Sequence, residues 1–227
     1  MRSAWFWKTE QWREYQAIYH RGQIPSEYKT SPLDPNGEDF NWDIERRDYS
    51  MRINLTRVID LTVPTDILWR GVRDSYRALI NKGIRTYDVE IQDDMEGFRA
   101  LHAEANHGQP RPTRTYEIQG DWLKTRNGVL VMAERLVPRK FVAGAYWIIY
   151  QHGAYYASGP SIPEHKDLQK AVIWKSLELL KAMGVRKVDM GQIDGETEKE
   201  MNIGKFKKGF GGLDVPFTTV TKRAEKN

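Results

Sequence analysis

Asn202-Ile203-Gly204-Lys205-Phe206-Lys207-Lys208-Gly209-Phe210-Gly211-Gly212 is the stretch around which this 227-residue chain is organised. Three lysines, two phenylalanines and four glycines fall within it. Glycine tolerates positive φ and lets backbone approach a ligand closely. Lysines beside it supply positive charge to an anion or a polarised carbonyl. A basic, solvated turn has the same composition, so position has to separate the two readings. The stretch comes after a long helix and a buried strand, and little chain remains after it to build anything else. It is expected to be a turn that lines a binding site.

The bulk composition bounds the rest. The length suits one domain, or one domain with a substantial extension. Hydrophobic residues make up 40% and charged residues 29%, which is the balance of a globular protein. The 35 basic and 31 acidic residues leave a net charge of +4. That permits an anionic ligand or RNA without requiring one. There is no cysteine, so disulfides, thiolate metal sites and cysteine nucleophiles are excluded. Met1-Arg2-Ser3-Ala4-Trp5-Phe6-Trp7-Lys8 carries no long apolar region after its charge and does not read as a signal peptide. No apolar run is long enough to span a bilayer. A cytoplasmic protein is expected.

Working through the chain, Trp5, Trp12, Tyr15 and Tyr19 recur at helical spacing and predict an amphipathic helix over 3–21, ended by Gly22. Residues 22–50 are rich in Pro, Asp, Asn and Gly and predict a long loop with turns. Alternation from Met51 to Leu61 predicts a strand. Thr65 or Asp66 should cap a single helix with an apolar face of Ile67, Leu68, Val72, Tyr76, Leu79 and Ile80, stopped by Gly83. Ile84 to Ile91 reads as a strand. Asp93 or Asp94 caps a helix reaching about Asn106, and Tyr116 to Arg126 forms another. Three strands follow, Val129–Glu134, Phe141–Gln151 and Ala154–Gly159, the last two joined by a His152-Gly153 turn. A loop from Pro160 to His165 leads to a helix from Lys166 to Met183, stopped by Gly184. The chain then runs through a buried-type strand, Val185 to Gly191, the lysine–glycine turn, and a last strand from Val215 to Lys222. This order predicts an α+β fold with a mixed central sheet. The division expected is an N-terminal helix, loop and strand extension over 1–66, then a catalytic-type domain over 67–227.

The order of elements resembles the GNAT acyltransferase fold. At residue level, Phe141-Val142-Ala143-Gly144, Ala154-Tyr155-Tyr156-Ala157-Ser158-Gly159, Gly184-Val185-Arg186-Lys187-Val188-Asp189-Met190-Gly191 and Ile203 to Gly212 are similar to the FemABX family. Its members carry a G-x-x-x-x-D-x-G-G string followed by F-K-x-x-F-G-G. The match runs in order across about residues 55–217, and Phe206-Lys207-Lys208-Gly209-Phe210-Gly211-Gly212 is its most distinctive part. FemABX proteins transfer an aminoacyl group from aminoacyl-tRNA to the amine of a peptidoglycan precursor peptide, and they typically hold two GNAT-like units. This chain has room for one full unit, so residues 1–66 are expected to be a remnant of the first. A second subunit, assembled through the aromatic N-terminal helix, is an expected source of the missing half.

Acyl transfer to an amine requires the amine to lose a proton, the tetrahedral oxyanion to be stabilised, and both substrates to be held together. The resemblance places Lys207 at the substrate, and a lysine flanked by Phe206 and Phe210 suits stabilisation of a polarised carbonyl. Lys205 and Lys208 are expected to serve phosphate or solvent, and Phe206 to stack or pack. Asp189, near the end of a sheet strand, is the expected catalytic carboxylate, although a structural carboxylate capping a turn fits there equally. Tyr155, Tyr156 and Glu134 lie on or near the central strands as further candidates. No histidine has metal-ligand spacing, and no metal is expected.

The expected donor follows from one loop and one helix. Acyl-CoA enzymes of the GNAT fold bind pyrophosphate in a glycine-rich loop before the long helix. Here that place holds Ser158-Gly159-Pro160-Ser161-Ile162-Pro163-Glu164-His165-Lys166, where prolines remove donors. This weighs against CoA and toward aminoacyl-tRNA, with no separate cofactor. Arg70, Arg73, Arg77 and Lys82 form a basic helix face expected to touch RNA phosphate or to be merely solvated. The alternatives are an acyl-CoA N-acyltransferase acting on a small amine or amino sugar, and a non-catalytic RNA- or peptide-binding module.

Overall fold

The structure is a computed structural model that describes residues 27–29, 49–109 and 111–222. The expected helix over 3–21, and with it the aromatic surface expected to join subunits, lies outside the described residues. Among the described residues, eight strands form one mixed sheet. They are β1 (Glu27–Lys29), β2 (Tyr49–Asp60), β3 (Asp88–Gln92), β4 (Gly128–Leu136), β5 (Arg139–Tyr150), β6 (Gly153–Ser158), β7 (Lys187–Gln192) and β8 (Leu213–Lys222). Their order across the sheet is β1-β8-β2-β7-β6-β5-β4-β3. Every pair is antiparallel except β6 with β7. The α+β reading is therefore correct. The loop expected over 22–50 needs correction, because Glu27–Lys29 pairs with β8 and β2 already begins at Tyr49. β2 lies between β7 and β8, so this early strand is part of the same sheet as the later ones.

Burial on both faces explains the continuous apolar spelling of the central strands. Along β4, Val129, Val131 and Ala133 point to one core, and Leu130 and Met132 to the other. The first core is covered by helices α2 (Asp74–Thr86) and α5 (Gln169–Ala182), through Ile80, Val172 and Leu177. The second is covered by α3 (Met95–Ala105) and α4 (Thr113–Lys124), through Phe98, Tyr116, Ile118 and Trp122. Asp94 caps α3 as expected, accepting from Gly97 N at 2.8 Å. The helix expected from Tyr116 to Arg126 starts and ends earlier, and the strand expected from Ile84 starts only at Asp88 because α2 continues through Thr86. A 3-10 turn, Pro163–Leu168, replaces the expected first turn of the long helix.

Two larger corrections concern glycine. The helix expected from Thr65 to Gly83 is two helices, α1 (Thr65–Gly71) and α2. Val72 and Arg73 between them are extended, with ψ of 134 and 135. Arg77 closes the break: its Nε donates to Val72 O at 2.9 Å and its Nη2 to Arg70 O at 3.4 Å. These are carbonyls that the end of a helix leaves without partners. Gly83 does not stop the helix. It sits where α2 crosses α5, and a Cβ there would lie 2.6 Å from the Ala171 Cβ.

The expected lysine–glycine turn is, up to Lys208, the second half of a helix, α6 (Glu198–Lys208). Thr197-Glu198-Lys199-Glu200 is a capping box: the Thr197 hydroxyl accepts from Glu200 N at 3.2 Å, and the Glu200 carboxylate accepts from Thr197 N at 3.0 Å. Acids in the first turn and Lys205, Lys207 and Lys208 in the last turn complement the helix dipole. Together these outweigh the cost of about 1 kcal/mol for one interior glycine. Gly204 is there for contact. A Cβ on it would lie 2.1 Å from Ile193 O, so α6 rests directly on the backbone leaving β7.

Two outcomes follow for stability. Gly204→Ala should lower the unfolding free energy by about 1–3 kcal/mol, although alanine favours helix. Denaturant titration checks this, and a stabilised variant would contradict the contact. The second concerns His102, buried in the second core between the rings of Phe98 and Tyr116 with Nε2 2.7 Å from Ser158 Oγ. Burial, and secondarily the Arg111 charge, push its pKa down from 6.5 to about 3. Below the ordinary histidine value the unfolded chain takes a proton that the folded chain refuses, so stability should fall as pH drops from 6.5 toward about 3. His102→Gln should flatten that fall in a pH series of urea midpoints. An unchanged slope would show that His102 does not carry it.

Candidate active site

The parallel pair β6–β7 is hydrogen-bonded over Gly153–Lys187, Ala154–Val188 and Tyr155–Asp189, and then stops. Yet β6 runs on to Ser158 and β7 to Gln192. Local chemistry on each strand explains the parting. On β6, Tyr156 pairs with Trp147 and Ser158 with Tyr146, which makes Ala157 an extra, bulged residue. On β7, Gly191 has φ 77, and its N–H donates to Asp189 Oδ1 at 2.7 Å. That side-chain bond draws the amide out of the strand ladder. Beyond Tyr155 and Asp189, the two strands therefore leave a gap in the middle of the sheet.

Three predicted residues meet at this gap. Asp189 is buried, accepts from the Thr56 hydroxyl as well as from Gly191 N, and fixes the turn. Lys207 reaches in from α6, and its Nζ donates to Gln192 O at 2.9 Å. It can do so because Gly204, on the same helix face one turn earlier, lets α6 approach. Tyr155 comes from β6. A Cβ placed on Gly191 would lie 3.2 Å from Lys207 Nζ and 3.3 Å from Tyr155 OH. The ammonium and the phenol thus face the space that this glycine keeps open. Both side chains are half-buried.

The other predicted residues lie elsewhere. Tyr156 is on the opposite face of the sheet, 5.0 Å from the Trp147 ring, with its hydroxyl accepting from Gln169 Nε2 at 3.1 Å. Phe206 packs against Tyr76 and Phe210. Lys205 is exposed, and its carbonyl accepts from Arg73. Lys208 pairs with Asp214 at 2.7 Å. Arg77 is spent on the α1–α2 break and on Asp74, 2.6 Å away. Glu134 is held by Arg139 at the β4–β5 hairpin, which draws its pKa down. Sequence reasoning passed over Gly191 and Gln192. The D-x-G spelling at Asp189–Gly191 was the available signal for the first, and Gln192 stands where the G-x-x-x-x-D-x-G-G string has its last glycine.

The loop after β6 is built into the sheet. Gly144 N donates to Pro160 O at 2.9 Å and Ile162 N to Val142 O at 3.0 Å. Pro160 and Pro163 bring no N–H group to this loop. Arg73, Lys82, Lys166 and Lys170 gather around Tyr76 and Asp167. Lys170 pairs with Asp167 at 2.6 Å, and the charges of Lys170, Lys166 and Lys82, after the Lys170 hydrogen bond, hold the Asp167 carboxyl below its ordinary pKa. Arg73 and Lys170 both lie 5.1 Å from the centre of the Tyr76 ring. Among the described residues no cluster of His, Asp and Glu could hold a metal ion, and no helix is long and apolar enough to cross a membrane.

No sequence-family profile and no curated protein matches the chain. Solved structures do. FemX superposes with a TM-score of 0.62 at 14% identity, over 72% of this chain and 61% of FemX. The C-terminal domain of an assigned lysylphosphatidylglycerol synthetase from Agrobacterium fabrum gives 0.58 at 13% identity, over 78% and 62%. L-PGS from Bacillus licheniformis gives 0.54 at 13% identity, over 79% and 63%. The chain thus spans less than two thirds of each of these proteins. What it shares with them is the GNAT-like fold of FemX.

Proposed function

We propose that the chain is an amide-forming acyltransferase that moves an aminoacyl or other acyl group from an activated ester onto an amine, with aminoacyl-tRNA as the donor. The observation that carries this reading is the convergence of Lys207 Nζ and Tyr155 OH over Gly191, at the mouth of the gap between β6 and β7. Attack by an amine turns a planar acyl carbon tetrahedral and puts negative charge on its oxygen. A preplaced ammonium, half-shielded from water, stabilises that charge more than it stabilises the ground-state carbonyl. Lys207 is that group. Asp189 acts as a positioning residue, because it holds the Gly191 turn that leaves the space. The gap itself lets an extended acyl carrier lie along strand edges.

Two observations support a nucleic-acid carrier. The loop before α5 is hydrogen-bonded to β5, and its two prolines bring no N–H group. Arg73, Lys82 and Lys166, exposed near Tyr76 and Asp167, supply positive charge for a phosphodiester backbone. Acyl-CoA is the second reading, favoured by the N-terminal end of α5 lying beyond the end of β6.

The test is a donor and acceptor panel: alanyl-tRNA and acetyl-CoA against a lysine-containing peptide and glucosamine. Transfer from alanyl-tRNA is expected, and transfer from acetyl-CoA alone would replace the first reading by the second. Lys207→Ala should lower kcat by about 10²–10³-fold, the range for loss of one oxyanion donor. A variant as fast as the wild-type protein would remove Lys207 from the mechanism.

A further inference from the structure

The geometry at Gly191 depends on a bulge in β7, and that bulge is held from the neighbouring strand. We propose that Thr56, on β2, is a positioning residue for the transfer step: its hydroxyl fixes the bulge that aims Gln192 O at Lys207. The proposal rests on the acyl-transfer reading above and deepens it.

In the β2–β7 ladder Val58 pairs with Asp189 and Thr56 with Gln192. Arg57 therefore stands opposite both Met190 and Gly191, and β7 carries one extra residue. Gly191, at φ 77, takes the left-handed conformation that this requires. The two strands are joined on both sides of the bulge. Ile59 pairs with Val188 before it, and Ile193 N donates to Leu55 O at 2.9 Å after it. Between those points Thr56 works as a staple. It sits opposite Gln192, yet its hydroxyl donates to Asp189 Oδ1, three residues back along β7. The same oxygen accepts from Gly191 N at 2.7 Å. Thr56 is 1% exposed and Asp189 6%, which shields this bond from water.

Without the hydroxyl, Asp189 Oδ1 loses a buried donor, and the carboxylate turns toward other donors. Gly191 N then loses its acceptor. Gln192 O, which accepts from Lys207 Nζ at 2.9 Å, shifts with the turn. The ammonium moves away from the place where charge develops, and a displacement of about 1 Å costs up to about 10²-fold in rate. The site thus draws on β2, which belongs to the part of the chain expected to be an extension.

The test uses two variants of the full chain. Thr56→Val keeps the branched shape and removes the hydroxyl, and Thr56→Ser keeps the hydroxyl. Amide hydrogen exchange reads the turn directly, with Val131 in β4 as the reference for overall stability. Thr56→Val should raise the ratio of the Gly191 exchange rate to that of Val131 by about 10-fold or more, and Thr56→Ser should hold it within about 3-fold of the wild type. Kinetics use alanyl-tRNA or acetyl-CoA, whichever turns over, and the lysine-containing peptide or glucosamine. Thr56→Val should lower kcat by about 10–10²-fold with KM little changed, and Thr56→Ser should restore it. On a Lys207→Ala background, Thr56→Val should cost less than about 3-fold more, because it acts through Lys207. An unchanged exchange ratio, an undiminished kcat, or a loss that multiplies in full with that of Lys207→Ala would overturn the positioning role and leave the acyl-transfer reading in place. A wild-type protein that transfers from neither donor would overturn both.

Discussion

The contact between Gly204 and Ile193 O sets the rest of the site. It places α6 against the backbone at the end of β7 with no side chain between them. Only at that separation can Lys207, one turn further along the same helix face, hydrogen-bond Gln192 O and stand over Gly191. The opposite side of the helix end works as an anchor. Phe206 and Phe210 pack on Tyr76, Arg73 N donates to Gly209 O, and Arg73 Nη2 to Lys205 O. One short helix thus divides the stretch into a packed apolar side and a basic side that meets Gln192.

Much of the architecture is legible in the chain because it is carried by local patterns. The unbroken apolar runs of β4 and β5 report burial on two faces, and the Gly184 stop, with φ 86, reports the end of α5. The chain is harder to read where tertiary contact overrides propensity. Gly83 and Gly204 look like helix breakers, yet both sit inside helices because another element crosses there. The break at Val72–Arg73 interrupts an unbroken helical periodicity. It is held by Arg77, whose role depends on carbonyls that exist only once the break has formed.

The site divides in the same way. Lys207 and Asp189 are marked by short spellings, Phe-Lys and Asp-x-Gly, whose geometry is set within a few residues. Tyr155 and Tyr156 are neighbours in sequence, but the two-residue period of a strand sends them to opposite cores, and only the sheet context decides which one meets Lys207. Lys208 and Arg77 resemble ligand-binding cations in the sequence, whereas their carboxylate and carbonyl partners come from elsewhere in the fold. The gap needs a bulge on β6 and a positive-φ glycine on β7 at the same level, a coincidence that no single window of sequence displays.

The central claim is that the Lys207 ammonium and the Tyr155 phenol act on one reaction centre. A double-mutant cycle on the transfer rate from alanyl-tRNA, using Lys207→Ala, Tyr155→Phe and the combination, tests it most directly. Groups that act as a unit give losses that do not multiply, so the double variant should be within a few-fold of the slower single variant. If the two losses multiply in full, the residues act independently and the account of this site is wrong.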